Sequence, residues 1–205
     1  MSTIMEWSEI IHQLFQMAEP YLRARGDKLH AEVSHQYALK LIKHEGGNHK
    51  IIEPAVILHD VGWSCLEPHE LDLAYGVHAE GKEAVRLNRI HELQGATIAQ
   101  NILANVELDP LLIEKIIAII KRHDSGNIAN SLEEKLVRDA DKLWRYSKIG
   151  FWTEKKRQGL NANELYNHLA KHYRSWFFTP TALMRSQKEL TQRLKEIEDQ
   201  TNKIQ

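Results

Sequence analysis

The chain has a single cysteine, Cys65, in 205 residues. That excludes an internal disulfide framework and a thiolate-built zinc cluster, and it fits a reducing compartment. No apolar run approaches the ~20 residues of a helical membrane span. The opening residues, Met1 to Glu6, lack a basic stretch followed by an apolar one, so no secretory leader is expected. Neither charge sign dominates: the net charge is −1, without the basic footprint that binding to long nucleic acid leaves. Alternating strand patterns are also lacking. These absences predict a cytoplasmic, all-α protein with no membrane contact.

Twelve histidines stand out against that background and invite a metal or proton-transfer reading. Helical periodicity runs through most of the chain. Residues 6–24 place Ile10, Ile11, Leu14, Phe15, Ala18 and Leu22 on one stripe, and residues 29–44 do so with Val33, Tyr37, Ala38, Leu41 and Ile42. Gly46-Gly47-Asn48 marks a turn. A third helix is expected from Pro54 to about Val61, because proline suits a first turn, with Gly62 allowing an abrupt break. Residues 64–80 read as loop or short helices, and residues 81–105 as helix. Asp109-Pro110 announces an apolar, central helix that Ser125-Gly126-Asn127 stops. Ser131 with Glu134 forms a capping-box pattern opening a helix to about Ser147. Two more helices are expected near 161–176 and 180–200, and the charged tail from Lys188 is expected to fray. The domain expectation is one unit over residues 1–205, with a core at about 30–150 on which the terminal helices pack.

His59-Asp60 closes the apolar run Ala55-Val56-Ile57-Leu58. Adjacent side chains on a helix diverge by about 100°, so this pair can address one ion from neighbouring directions. Imidazole and carboxylate together form a ligand set for a divalent cation. Asp141 shares a stripe with Val137 and Trp144, where a carboxylate is costly unless paired or metal-bound; Arg138 or Arg145 would serve as purely structural partners. His35 shares a stripe with Ala38, Leu39 and Ile42. His123 follows an apolar run, and His91 lies one turn before Gly95-Ala96, small residues that admit a close neighbour. Each alone has a plain structural explanation, but five segments offering inward His or Asp favour a metal site.

In order, His35, His59-Asp60 and Asp141 resemble the H…HD…D signature of the HD-domain superfamily of metal-dependent phosphohydrolases. Leu58-His59-Asp60-Val61-Gly62 is similar to the central motif of that superfamily, and Arg138-Asp139-Ala140-Asp141-Lys142-Leu143 to its closing aspartate helix. The resemblance spans roughly residues 30–150. It implies a compact all-helical bundle with a divalent metal that activates water. His35, His59, Asp60 and Asp141 would bind one ion, with His30, near the same helix start, as the alternative to His35. His91-Glu92-Leu93-Gln94-Gly95-Ala96 and Ile120-Lys121-Arg122-His123 resemble the added histidine segments of two-metal members. By that resemblance Asp60 bridges to a second ion held by His91 and His123; with one ion, those two histidines instead line the pocket and contact phosphate.

Many members carry lysine where this chain has Trp63. A phosphate-facing cation must then come from Lys142, Arg122, Arg138 or Arg145, whose plainer role is salt bridging. Trp63 itself would cap the core or stack on a base. Glu67, Glu70 and Glu80 are candidates for general acid or outer-shell base. The implied cofactor is one or two ions among Mn, Fe, Mg, Ni, Co and Zn. The implied substrate is a small phosphate ester or nucleotide. Two alternatives stay open: an oxygen-activating di-iron centre on the same fold, and a non-catalytic nucleotide-binding regulatory module. The charged C-terminal helix could pair two copies into a homodimer, or simply face solvent.

Overall fold

In the computed structural model, residues 6–23 and 25–202 are described, with the backbone alone at Thr201. The segment read for a leader lies outside them except for Glu6, as do the last three residues of the charged tail. The described residues form helices α1 (Trp7–Leu22), α2 (Lys28–Glu45) and α3 (His49–Leu58), a 3-10 turn (Val61–Cys65), α4 (Pro68–Ala74) and α5 (Gly81–Leu103). After these come α6 (Pro110–Ile120), α7 (Leu132–Tyr146), α8 (Lys148–Arg157), α9 (Ala162–Trp176) and α10 (Pro180–Asn202). No strand occurs among the described residues, and the fold is all-α as expected. None of these helices is long and apolar enough to cross a membrane.

The middle of the core is α3, whose residues from Ile51 to Leu58 are all buried. Around it pack α1, α2, α6 and α7, while α10 lies against α7, α9 and α2. The caps are those the sequence marks. Asp109 accepts from Leu111 N beside Pro110, and Ser131 accepts from Glu134 N. Glu134 reaches back to Asn130 N, one residue short of a closed capping box. The short-helix reading of residues 64–80 is met by the 3-10 turn and α4.

Three boundaries differ from expectation. Helix α3 begins at His49, with Asn48 accepting from Lys50 N. Pro54 therefore lies in its second turn, where its missing N–H removes one helical bond that the surrounding burial outweighs. Helix α6 ends at Ile120, so His123 stands in the following turn. Helix α8 was not anticipated: Ser147 ends α7 and at once caps α8 by accepting from Gly150 N, so no loop composition separates them. A Cβ at Gly150 would fall 1.9 Å from Trp144 O, which is why this corner needs glycine.

Another glycine fixes the site's geometry. A Cβ on Gly62 would fall 1.9 Å from His91 O and 2.5 Å from Gly95 N. The 3-10 turn that follows His59-Asp60 thus lies directly on α5 at the level of His91. Gly62 and Gly95 are the small pair that permits this approach.

Candidate metal centre

His59 sits at the C-terminal end of α3, and Asp60 opens the 3-10 turn. The His59 Nδ1–H donates to Val56 O at 2.7 Å, which leaves Nε2 to face the cluster. His123 repeats the arrangement in the turn after α6, donating from Nδ1 to Ile120 O at 2.8 Å. A backbone carbonyl thereby sets the tautomer and ring orientation in both, the usual device for presenting a histidine to a metal.

These two nitrogens converge with others. His30 Nε2 is 3.0 Å from His59 Nε2, and 3.4 Å from both Asp60 Oδ2 and Asp141 Oδ1. On the other side, His91 Nε2 is 3.2 Å from His123 Nε2. Asp60 Oδ1 lies between the halves, 3.5 Å from His59 Nε2, 3.6 Å from His123 Nε2 and 3.9 Å from His91 Nε2. Asp124 Oδ2 closes the second half at 3.7 Å from His123 and 3.9 Å from His91. Three overlapping donor groups result: His30, His59 and Asp141; His59, Asp60 and His123; and His91, His123 and Asp124.

The donors suit a divalent ion. Metal–nitrogen distances of about 2.1 Å imply donor–donor edges of about 3.0–3.4 Å, which matches the spacing around His30. Lone pairs aimed at one another across 3.0 Å repel unless a cation or proton lies among them. Burial drives His30 and His91 down to about 4, although Asp60 pulls the other way in both, so at neutral pH both are unprotonated donors. Burial likewise acts to lower His59 and His123, but nearby carboxylates outweigh it: His59 rises through Asp60 and Asp141, and His123 rises to about 9 through Asp124 and Asp60. Burial would raise Asp60 and Asp141. The charges of His59 and Arg25 for Asp60, and of Lys142 with the His59 hydrogen bond for Asp141, hold both well below the ordinary carboxylate range.

Most of the expected residues meet here: His59, Asp60, His91, His123 and Asp141, with Lys142 beside them at 2.9 Å from Asp141 Oδ2 and 2.7 Å from Asp124 Oδ1. His35 does not. It faces away on α2, with Nε2 2.7 Å from Glu53 Oε2, and His30 takes the place assigned to it. The inward stripe of α2 runs through His30, Ser34, Tyr37, Ala38 and Leu41, while Leu39, read as a stripe neighbour of His35, is 44 % exposed.

Arg122 and Arg138 are likewise elsewhere. Arg122 pairs with Glu134 at 3.2 Å and donates to Ile128 O, and Arg138 lies over Phe178. Glu67 and Glu70 cap α4. Trp63 is buried, stacks on His91 with ring centroids 3.7 Å apart, and donates from Nε1 to Asp60 Oδ1 at 2.9 Å.

The fold, as distinct from the site, has a counterpart among solved structures. An HD-superfamily hydrolase from Bacillus thuringiensis superposes with a TM-score of 0.65 at 23% identity, over 96% of this chain and 97% of that one. The two chains share one fold. No family model matches the chain, and no curated protein shows significant similarity to it.

Within this HD-type fold, three contributors escaped the sequence reading. Asp124 carried a visible signal, since His123-Asp124 repeats the dipeptide of His59-Asp60. Arg25 had none: it reaches the site from the turn after α1, with NH2 3.1 Å from Asp60 Oδ2 and Nε 2.7 Å from Asp27, its guanidinium over the rings of Trp63 and Tyr75. Glu92, fully buried, accepts from Asp124 N, Ser125 N and Ser125 Oγ and shapes the turn that presents His123-Asp124. Beside the cluster opens a cavity of about 480 Å³ whose walls include Trp63, Tyr75, Glu80, Asp124, Lys142 and Arg145.

Proposed function

We propose that the protein is a divalent-metal-dependent phosphohydrolase acting on small phosphate esters or nucleotides. The observation that carries this reading is Asp60, a single carboxylate within 3.6 Å of histidines from both halves of the cluster. His30, His59, Asp60 and Asp141 would hold one ion. His91 and His123, with Asp60 and Asp124, would hold a second. A divalent ion in such a site acts as Lewis acid and lowers the pKa of water.

The remaining residues order and insulate that chemistry. Val56 and Ile120 carbonyls keep His59 and His123 from rotating. Trp63 covers the face of His91 and so shields it from solvent. Arg25 neutralises Asp60 from behind. Lys142 and Arg145 line the adjoining cavity and are placed to hold the charged oxygens of a phosphate ester. A cavity of this size suits a small molecule, as does the near-neutral overall charge.

The test is turnover of a phosphate-ester and nucleotide panel with Mn²⁺, Mg²⁺, Co²⁺, Ni²⁺, Fe²⁺ and Zn²⁺ supplied separately. Activity should require added metal and vanish in Asp60→Ala. Activity that survives thorough metal stripping, or persists in Asp60→Ala, overturns the reading.

A further inference from the structure

The cavity is lined by two chemically different groups of residues. Beside the cluster, Lys142 is already paired with Asp124 and Asp141. Arg145 is different: one helical turn beyond Asp141 on α7, it lines the cavity and makes no ion pair or hydrogen bond to a described residue, its nearest aromatic contact being the Tyr75 ring at 5.8 Å. A half-buried guanidinium held by no hydrogen bond or ion pair among the described residues has its donors available to an anion.

The second group comes from α9, which presents His168, His172 and Trp176, spaced four residues apart and therefore on one helical face. The His172 and Trp176 rings are stacked, with centroids 4.9 Å apart and planes 11° from parallel, and His168 leans on both at 4.8 and 5.5 Å. All three are partly exposed, and all three line the cavity. Trp176 also packs against the apolar cluster around Leu165 and Leu169, yet all three rings border the same cavity as Arg145.

We infer that this cavity selects a phosphomonoester whose organic part carries a flat ring, with the phosphoryl group held at Arg145 and the ring laid against the Trp176–His172 face of α9. The inference rests on the phosphohydrolase reading for the location of the phosphoryl group. Trp176 and His172 are the specificity-determining residues. Stacking rewards flatness and tolerates chemical variety, because every planar ring offers a π-face. The preference is therefore for shape and not for one particular ring.

Phosphonates, whose C–P bond resists hydrolysis, separate binding from turnover. Calorimetry on the full chain would compare phenylphosphonate, cyclohexylphosphonate and methylphosphonate. Phenylphosphonate should bind at least fivefold more tightly than cyclohexylphosphonate, which has the same carbon count without flatness. Trp176→Leu should bring the two within twofold and leave methylphosphonate unchanged, while Trp176→Phe should keep most of the preference. Arg145→Met should weaken all three by a common factor. Equal affinity of the flat and puckered ligands, no binding of phenylphosphonate, or a preference untouched by Trp176→Leu would overturn the inference. Loss of turnover in Asp60→Ala tests the hydrolase reading separately, so a protein that hydrolyses nothing but prefers phenylphosphonate leaves the platform standing.

Discussion

The ammonium group of Lys142 lies 2.7 Å from Asp124 and 2.9 Å from Asp141, tying together carboxylates from opposite halves of the histidine cluster. It is the internal counter-ion of the metal-free site. Removing it leaves the buried Asp141 and the half-buried Asp124 without their shared cation. Lys142→Ala should therefore lower the stability of stripped protein by about 3 kcal/mol, the scale for breaking a buried pair by deleting one partner. Added divalent metal should restore more stability in this variant than in wild type, read as the difference in thermal midpoint with and without metal. Equal shifts would show that Lys142 does not substitute for a cation.

The pH dependence of metal-free protein follows from opposed shifts in one cluster. His123 is raised to about 9 from an ordinary 6.5, so its contribution is complete below pH 6.5 and disappears as pH climbs through 9. His30 and His91 are lowered to about 4. Their contribution is complete above 6.5 and disappears as pH falls through 4. Stability of stripped protein should peak near pH 6.5 in denaturant titrations and decline on both sides. Metal binding must displace the His123 proton, so apparent affinity should climb up to tenfold per pH unit between 6.5 and 9. A flat affinity profile across that range would contradict the assigned protonation.

Gly62 and Gly95 make a contrasting pair. The Gly62 Cβ would fall 1.9 Å from a backbone oxygen that cannot rotate away, whereas the nearest atom to a Gly95 Cβ is 3.2 Å off. Gly62→Ala should cost more than 4 kcal/mol or prevent folding, in the range of severe overpacking. Gly95→Ala should cost about 1–2 kcal/mol by the same reasoning. Comparable effects would mean that the turn does not lie on α5 as closely as described.

Glu92 accepts three hydrogen bonds from the turn holding His123 and Asp124, yet points at no donor in the cluster. Glu92→Ala should weaken metal binding by 10–100-fold, the usual effect of an outer-shell partner. Binding of the first ion, at His30 and His59, should change least. Competition with a chromogenic chelator reads both steps.

Helix caps and apolar stripes made most of the architecture legible before any coordinates. Asp109-Pro110, Ser131 and Thr179-Pro180 mark three helix starts that the structure keeps. His59, Asp60, His91, His123 and Asp141 were legible as a group because each ends or interrupts an apolar pattern. His30 was harder to see. The inward stripe of α2 carries polar His30 and Ser34, and this diluted periodicity let His35 pass as the inward histidine. Arg25 was beyond reach, since it lies in a turn and only tertiary packing brings it to Asp60. Helix α8 was hidden because one serine closes α7 and opens it, leaving no Gly- or Pro-rich punctuation to read.

That shared serine also fixes where the cavity can change over evolutionary time. Ser147 belongs to the caps of two consecutive helices, and Gly150 fits against the Trp144 carbonyl with no room to spare. The corner between the helix bearing Asp141 and Arg145 and the helix that follows it has no slack, so an inserted residue there would break both caps. Change in the cavity would therefore fall on the side chains of α9 and on the segment 75–80, which lines it from outside this rigid corner.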